Sequence, residues 1–229
     1  TLYDEVTGAD LAAQPKRIET TGGTLLARTV VAATGASPRE LGLPDEAALR
    51  GRGVACCAAC DGMMYKDKTV VVAGGGNSAV ADALLLAKLC KKVYLVHRRD
   101  TLRASRVYLE PLKSSGVEFI WNSRVAGLVH EKKLTGVELE DVRTGERRTL
   151  ACEGLFVAIG RVPDTGLLRG QVELDAQGYV KADETTRTSL PGVFAVGDVR
   201  TKPLRQIVTA AADGAVASKY IEDFLAQME

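Results

Sequence analysis

The stretch that most constrains this chain runs from Lys68 to His97. Lys68-Thr-Val-Val-Val-Ala73 reads as an apolar strand, and Gly74-Gly-Gly76-Asn-Ser-Ala79 as a glycine-rich turn. An apolar-periodic helix is expected from about Asn77 to Cys90, followed by a second strand at Val93-Tyr-Leu-Val-His97. Lys91 and Lys92 fall where cations suit the helix dipole. Strand, glycine turn, helix and strand make the βαβ unit that binds a dinucleotide. The glycines let backbone approach a pyrophosphate, and the helix N-terminus offers unpaired N–H groups. A G-x-G-x-x-A pattern alone says little; here the flanking elements give it weight. An acidic residue ending the second strand would select the ribose hydroxyl of NAD. This chain has His97-Arg98-Arg99 there, with Arg103 four residues past Arg99. Guanidinium groups suit a 2′-phosphate through charge-assisted bonds, which predicts NADPH over NADH.

Part of the pattern occurs twice. Val30-Val-Ala-Ala-Thr-Gly35-Ala-Ser-Pro38 aligns with Leu155-Phe-Val-Ala-Ile-Gly160-Arg-Val-Pro163, and each reads as a buried strand ending at glycine before a proline-marked crossing. The preceding segments, Arg17 to Leu26 and Gly136 to Gly145, are both alternating strands around a Thr-Gly turn. The glycine turn at Gly74 lies 86 residues before Gly160; the same interval before Gly35 falls ahead of Thr1. The first copy is therefore expected to lack its nucleotide turn, and the chain, which opens on Thr rather than Met, to be a piece of something longer.

Composition narrows the partners. Thirty Lys and Arg against 29 Asp and Glu leave a net charge of +1, so no bulk field draws the chain to nucleic acid or an anionic membrane. No run approaches the roughly 18 apolar residues of a membrane span, and the start has no signal-peptide shape; a cytoplasmic location is expected. Of five cysteines, Cys57 and Cys60 stand as C-x-x-C before Asp61-Gly62. Zinc usually needs four ligands, and His97 and His130 are isolated, so no metal site is expected. Two sulfurs at this spacing suit cycling between dithiol and disulfide, with Asp61 placed to supply or remove a proton. Cys90 and Cys152 read as small core hydrophobes, and Cys56 has no assigned partner.

Further on, Pro191-Gly-Val-Phe-Ala-Val-Gly197-Asp198-Val199 is a strand ending in Gly-Asp, its carboxylate suited to ligand hydroxyls. Arg205-Gln206 and the small-residue helix start from Thr209 follow. Taken together, the C-x-x-C-Asp-Gly motif, Gly74 to Ala79, His97-Arg-Arg-x-x-x-Arg103 and Gly197-Asp198 with Arg205-Gln206 resemble the low-molecular-weight, bacterial-type thioredoxin reductases of the pyridine nucleotide-disulfide oxidoreductases. The likeness runs over essentially the whole chain. It implies an α/β fold of two Rossmann-like, three-layer dinucleotide-binding domains. Residues 1–39 with 165–229 would form a discontinuous FAD domain missing its first βαβ unit, and 40–164 the NADPH domain. By resemblance, FAD contacts fall on Ala33, Thr34, Gly35, Asp198, Val199, Arg205, Gln206 and Ile207. NADPH contacts fall on Gly76, Asn77, Ser78, Ala79, Arg98, Arg99, Arg103 and Gly160. Cys60 would be the sulfur nearer the flavin, Cys57 the one that attacks thioredoxin, and Asp61 the acid. The family is typically a homodimer. Met63-Met64 depart from its usual phenylalanine pair on the surface thought to meet thioredoxin.

The resemblance implies electron flow from NADPH through FAD and the Cys57–Cys60 pair to thioredoxin. The C-x-x-C and nucleotide turn share one domain and the flavin belongs to the other, so the two would take turns at the flavin. Rotation about crossings near Ala36–Pro44 and Arg161–Gly166 is expected. Two alternatives stay open: the flavoprotein subunit of an alkyl hydroperoxide reductase and, for this chain alone, an NADPH-binding module with an inert C-x-x-C. A ferredoxin-driven reductase would leave the three arginines without a use. Tight NADPH binding by residues 40–164 and weak FAD retention are expected.

Overall fold

Strand Thr69–Gly74 is buried from Val70 to Ala73, the mark of a strand covered on both faces. The computed structural model, which describes residues 3–228, places it at the centre of a five-stranded parallel sheet. The order is Val54–Ala55, Gly154–Ala158, Thr69–Gly74, Lys92–Val96, Glu118–Ile120. In register, Val72 lies between Phe156 and Leu95. Alternation sends Val70, Val72, Leu95 and Phe156 to one face, where they pack on Ala79, Val80, Ala83 and Leu86 of helix Asn77–Ala87. Val71, Ala73, Val96, Leu155 and Val157 go to the other face. There they meet Val125, Val137 and Leu139 of an antiparallel meander, Ser123–His130, Leu134–Asp141 and Arg147–Ala151. Helix, sheet and meander make three layers.

The chain divides into two compact units, Pro38–Arg161 with the sheet just described, and Thr1–Ser37 joined with Val162–Glu229. The second unit reuses the plan. A meander of Val6–Asp10, Lys16–Thr20 and Gly23–Ala27 precedes strand Val30–Ala32, which pairs in parallel with Val193–Ala195. The sequence repeat is thus a structural one, hairpin for hairpin and strand for strand. Gly35 and Gly160, the matched glycines, both take positive φ (78° and 110°), which glycine adopts without steric cost. Among the described residues, this unit's parallel sheet has two strands where the other has five. Its core holds Leu11, Ala32, Val180, Val193, Ala195 and Val199, and helix Ile207–Ala226 follows the Gly197–Val199 turn.

The nucleotide helix ends at Ala87, three residues short of the expected Cys90. Lys88, Leu89 and Cys90 close it with N–H bonds to Leu85, Leu86 and Leu86 carbonyls, and Lys92 already begins the next strand. No helix among the described residues is long and apolar enough to cross a membrane.

Candidate active site: a redox turn and two nucleotide cradles

Cys57 and Cys60 are joined by a disulfide across Ala58–Asp61, a single helical turn. Cys57 is its N-cap, and its Sγ accepts the Cys60 N–H at 3.2 Å. Cys60 is exposed and Cys57 half-buried. Tyr65 ends the short turn Gly62–Tyr65 that follows, buried, with its ring meeting Phe156 edge-on at 5.1 Å. Burial, and then the Asp61 carboxylate, push the Tyr65 hydroxyl above its ordinary pKa, while a Gly53 backbone bond opposes them. Asp61 and Cys56 line one cavity of about 120 Å³ with Arg39 and Arg50. Met63 and Met64 stand out from the same segment, 67% and 62% exposed. Cys56 is a free, exposed thiol, whereas Cys90 and Cys152 are held inert. Burial, with Asp67, pushes Cys90 up to about 11; burial, with Glu153, pushes Cys152 up to about 12 despite a Gly154 backbone bond.

The glycine turn has three differently used positions. A Cβ on Gly74 would stand 2.4 Å from the Ala158 carbonyl and 2.7 Å from the Ala79 Cβ, so this glycine permits strand and helix to close on each other. On Gly75 it would enter the His97 ring at 2.3 Å. On Gly76 it would meet nothing within 4 Å: this is open space at the start of an eleven-residue helix whose cap has no side-chain bond. A pyrophosphate fits such a cradle, since the backbone is bare and its N–H groups point outward. Ala79 is fully buried, backbone included, and packs in the core beneath the turn, so among the predicted contacts it supports the cradle from inside. Asn77 Oδ1 accepts the Ser105 N–H at 2.8 Å, and the Arg103 N–H donates to the Gly75 carbonyl at 2.8 Å. These bonds pin the arginine-bearing loop to the glycine turn. Arg98, Arg99, Arg103 and Ser78 are all exposed, and none of the three arginines takes part in an ion pair found among the described residues. His97 is buried, 6% exposed. Burial first, then Arg103, Arg99 and Arg98, lower its pKa, against a Thr101 backbone bond, so the ring is neutral at pH 7.

The other predicted contacts lie in the unit drawn from both chain ends. Thr34 donates its hydroxyl to the Asp164 carbonyl, and the Asp164 N–H returns a bond to the Gly35 carbonyl at 2.9 Å. Ala33 precedes them after the buried end of strand Val30–Ala32. Asp198 sits in the turn after Val193–Ala195, with Val199 fully buried beneath it. Arg205 stacks on Tyr179 at 3.9 Å and reaches the Asp198 carbonyl. Gln206 caps the long helix with Thr209 in a reciprocal box. Ile207 is 90% exposed and Gly35 has clear space where a side chain would stand, an apolar and open surface of the kind a flavin nucleotide covers.

Residues 1–214 match the family described as pyridine nucleotide-disulphide oxidoreductase. The thioredoxin reductase of Streptomyces clavuligerus is 46% identical over 230 residues, covering 99% of this chain and 71% of its own length. That of Treponema pallidum is 45% identical over 217 residues, covering 94% of this chain and 70% of its own. The solved thioredoxin reductase of Streptococcus pyogenes superposes with a TM-score of 0.87 at 39% identity, over 99% of this chain and 74% of that one. The chain belongs to the pyridine nucleotide-disulphide oxidoreductases. For this oxidoreductase family a flavin and a nicotinamide cofactor are implied, and both cradles fit a nucleotide by their bare glycines.

One charged residue near the redox turn escapes sequence reasoning. Asp82 is the sole ionisable side chain of helix Asn77–Ala87, and its Oδ1 accepts the Ala58 N–H at 3.4 Å. A lone carboxylate in an apolar helix was the available signal; its target, 24 residues away, was not.

Proposed function

We propose that this chain is a thioredoxin-disulfide reductase that takes electrons from NADPH by way of FAD and passes them through Cys57–Cys60 to thioredoxin. The observation that carries the reading is the disulfide in a capped, partly exposed turn, in the same unit as the bare-glycine cradle and its three unpaired arginines. When bound, the nicotinamide and flavin supply hydride and electron-pair transfer. Gly76, Asn77 and Ser78 receive the pyrophosphate through backbone, with Ala79 packed beneath them, and Arg98, Arg99 and Arg103 the 2′-phosphate; Gly160 completes the NADPH set. Ala33, Thr34, Gly35, Asp198, Val199, Arg205, Gln206 and Ile207 hold the FAD.

Reduction of the disulfide adds two electrons and two protons, and Asp61 is the group placed to deliver one of them at the turn. Cys57 as thiolate then attacks one sulfur of thioredoxin's disulfide, and the other leaves and takes a proton. Cys60 as thiolate attacks the Cys57 sulfur of the mixed disulfide, releasing dithiol thioredoxin and restoring Cys57–Cys60. The exposed Met63 and Met64 give the partner an apolar, adaptable contact. Cytoplasmic location and a homodimer belong to the same reading.

The test is NADPH-dependent reduction of thioredoxin by the flavin-loaded chain. Cys60→Ser is expected to abolish it, and Arg98→Ala with Arg103→Ala to weaken NADPH binding about tenfold or more while leaving NADH unchanged. Reduction of a peroxidase disulfide but not of thioredoxin would overturn the reading, as would equal losses for both nucleotides.

A further inference from the structure

The carboxylate of Asp82 meets the redox turn at its first peptide. Helix Asn77–Ala87 packs on Ala58–Asp61, and Ala58, next after Cys57, is 2% exposed. The Ala58 N–H points at Asp82 Oδ1 from 3.4 Å, a long contact that is electrostatic as much as a hydrogen bond. The Cys60 N–H is already engaged by the Cys57 sulfur. Of the turn's first donors, then, one serves the Cys57 sulfur, while the one next after Cys57 in the chain faces an acid on another helix.

We propose that Asp82 is a positioning residue for the redox pair: its carboxylate takes the first peptide N–H of the turn and sets a negative charge beside Cys57, disfavouring the thiolate and making the dithiol a stronger reductant. A disulfide whose reduced form is stabilised is an oxidant, so a group that withholds that stabilisation drives electrons outward to the partner. The proposal rests on Cys57–Cys60 being the reductant of a protein disulfide.

Burial pushes the Asp82 carboxyl up to about 6; the Ala58 N–H and the Arg161 guanidinium oppose the rise and favour its charged form. Asp61, on the redox turn itself, is the other carboxylate close to the pair. Asp82 is thus ionised at pH 7 and neutral well below 6, which makes its influence separable by pH.

The experiment uses the whole chain with Cys56→Ser, so that Cys57 is the thiol followed. In the reduced chain, the rate of iodoacetamide addition to Cys57 is read by mass spectrometry from pH 5 to 9, and the disulfide fraction is titrated against dithiothreitol. Asp82→Asn is expected to raise alkylation at pH 7 about tenfold, the scale of one charge at this range, and to shift the balance toward dithiol by up to a similar factor at pH 9, where the thiolate predominates. Asp82→Glu should restore both, which a loss of packing alone would not. If the Asn variant does not fold, the parent's own profile decides: log rate against pH should be shallower than one below about pH 6.5. A unit slope throughout, or an Asn variant matching the parent, overturns the proposal. Neither readout involves flavin or thioredoxin, so a shifted Cys57 without thioredoxin reduction counts against the function alone. An unshifted Cys57 with reduction counts against Asp82 alone.

Discussion

Asp213 accepts the Gly197 N–H at 2.8 Å, Arg200 through Nε at 2.9 Å and Nη2 at 2.7 Å, and Lys202 Nζ at 2.7 Å, all but shut off from water. Burial would raise its pKa, but the Arg200, Lys202 and Gly197 donors overrule it and hold the carboxyl well below the usual range. A buried carboxylate that loses its charge leaves two cations uncompensated, so Asp213→Asn is expected to cost about 3–5 kcal/mol in urea unfolding at pH 7. A depressed folded pKa contributes stability above the unfolded value near 3.9 and loses it as pH falls below that. The parent should therefore weaken from about pH 4 downward, a loss absent from the Asn variant. In sequence the segment from Thr209 reads only as a small-residue helix start. That one of its residues turns inward to anchor the Gly-Asp turn depends on a partner 16 positions away and could not be seen locally. Lys16 is a similar case: it stands in an alternating strand, yet it is wholly buried, with Nζ donating to the Leu11 carbonyl at 2.9 Å.

The glycine turn was legible because its physics is local. Bare backbone, a following helix and a basic strand end all lie within thirty residues, and each reports on its neighbours. What the spacing did not distinguish is which glycine packs and which binds. Gly74 has φ +155° and no room for a methyl group, so Gly74→Ala should destabilise the unit by about 2 kcal/mol or more in thermal melting, whether or not nucleotide is present. Gly76 has an ordinary φ of −96° and open space beyond it. Gly76→Ala should melt within about 0.5 kcal/mol of the parent yet weaken NADPH binding in fluorescence titration, because the added methyl group occupies the ligand's place. Equal effects from both substitutions would contradict this division. Likewise Asp82 reads in sequence only as an odd charge in an apolar helix; its meaning comes from a neighbouring element.

At the scale of the molecule, the repeat was readable as two matched strands and two matched hairpins, since a duplicated pattern needs no tertiary knowledge. The redox disulfide and the nucleotide cradle fall together in Pro38–Arg161, and the surface assigned to flavin in the other unit. On the proposed function, a short crosslink fixing one unit against the other should preserve one half-reaction in stopped flow and stop turnover. Full turnover in the locked protein would sink the alternation. The two hydrogen bonds that tie the arginine loop to the glycine turn, Arg103 N–H to the Gly75 carbonyl and Ser105 N–H to the Asn77 side chain, also have a consequence for recognition. On the proposed function, these bonds fix the separation between the pyrophosphate and 2′-phosphate subsites. On that reading the site is a ruler: it is expected to accept a phosphate at one distance from the pyrophosphate, and an isomer carrying the same charge on the neighbouring hydroxyl to fall off the scale.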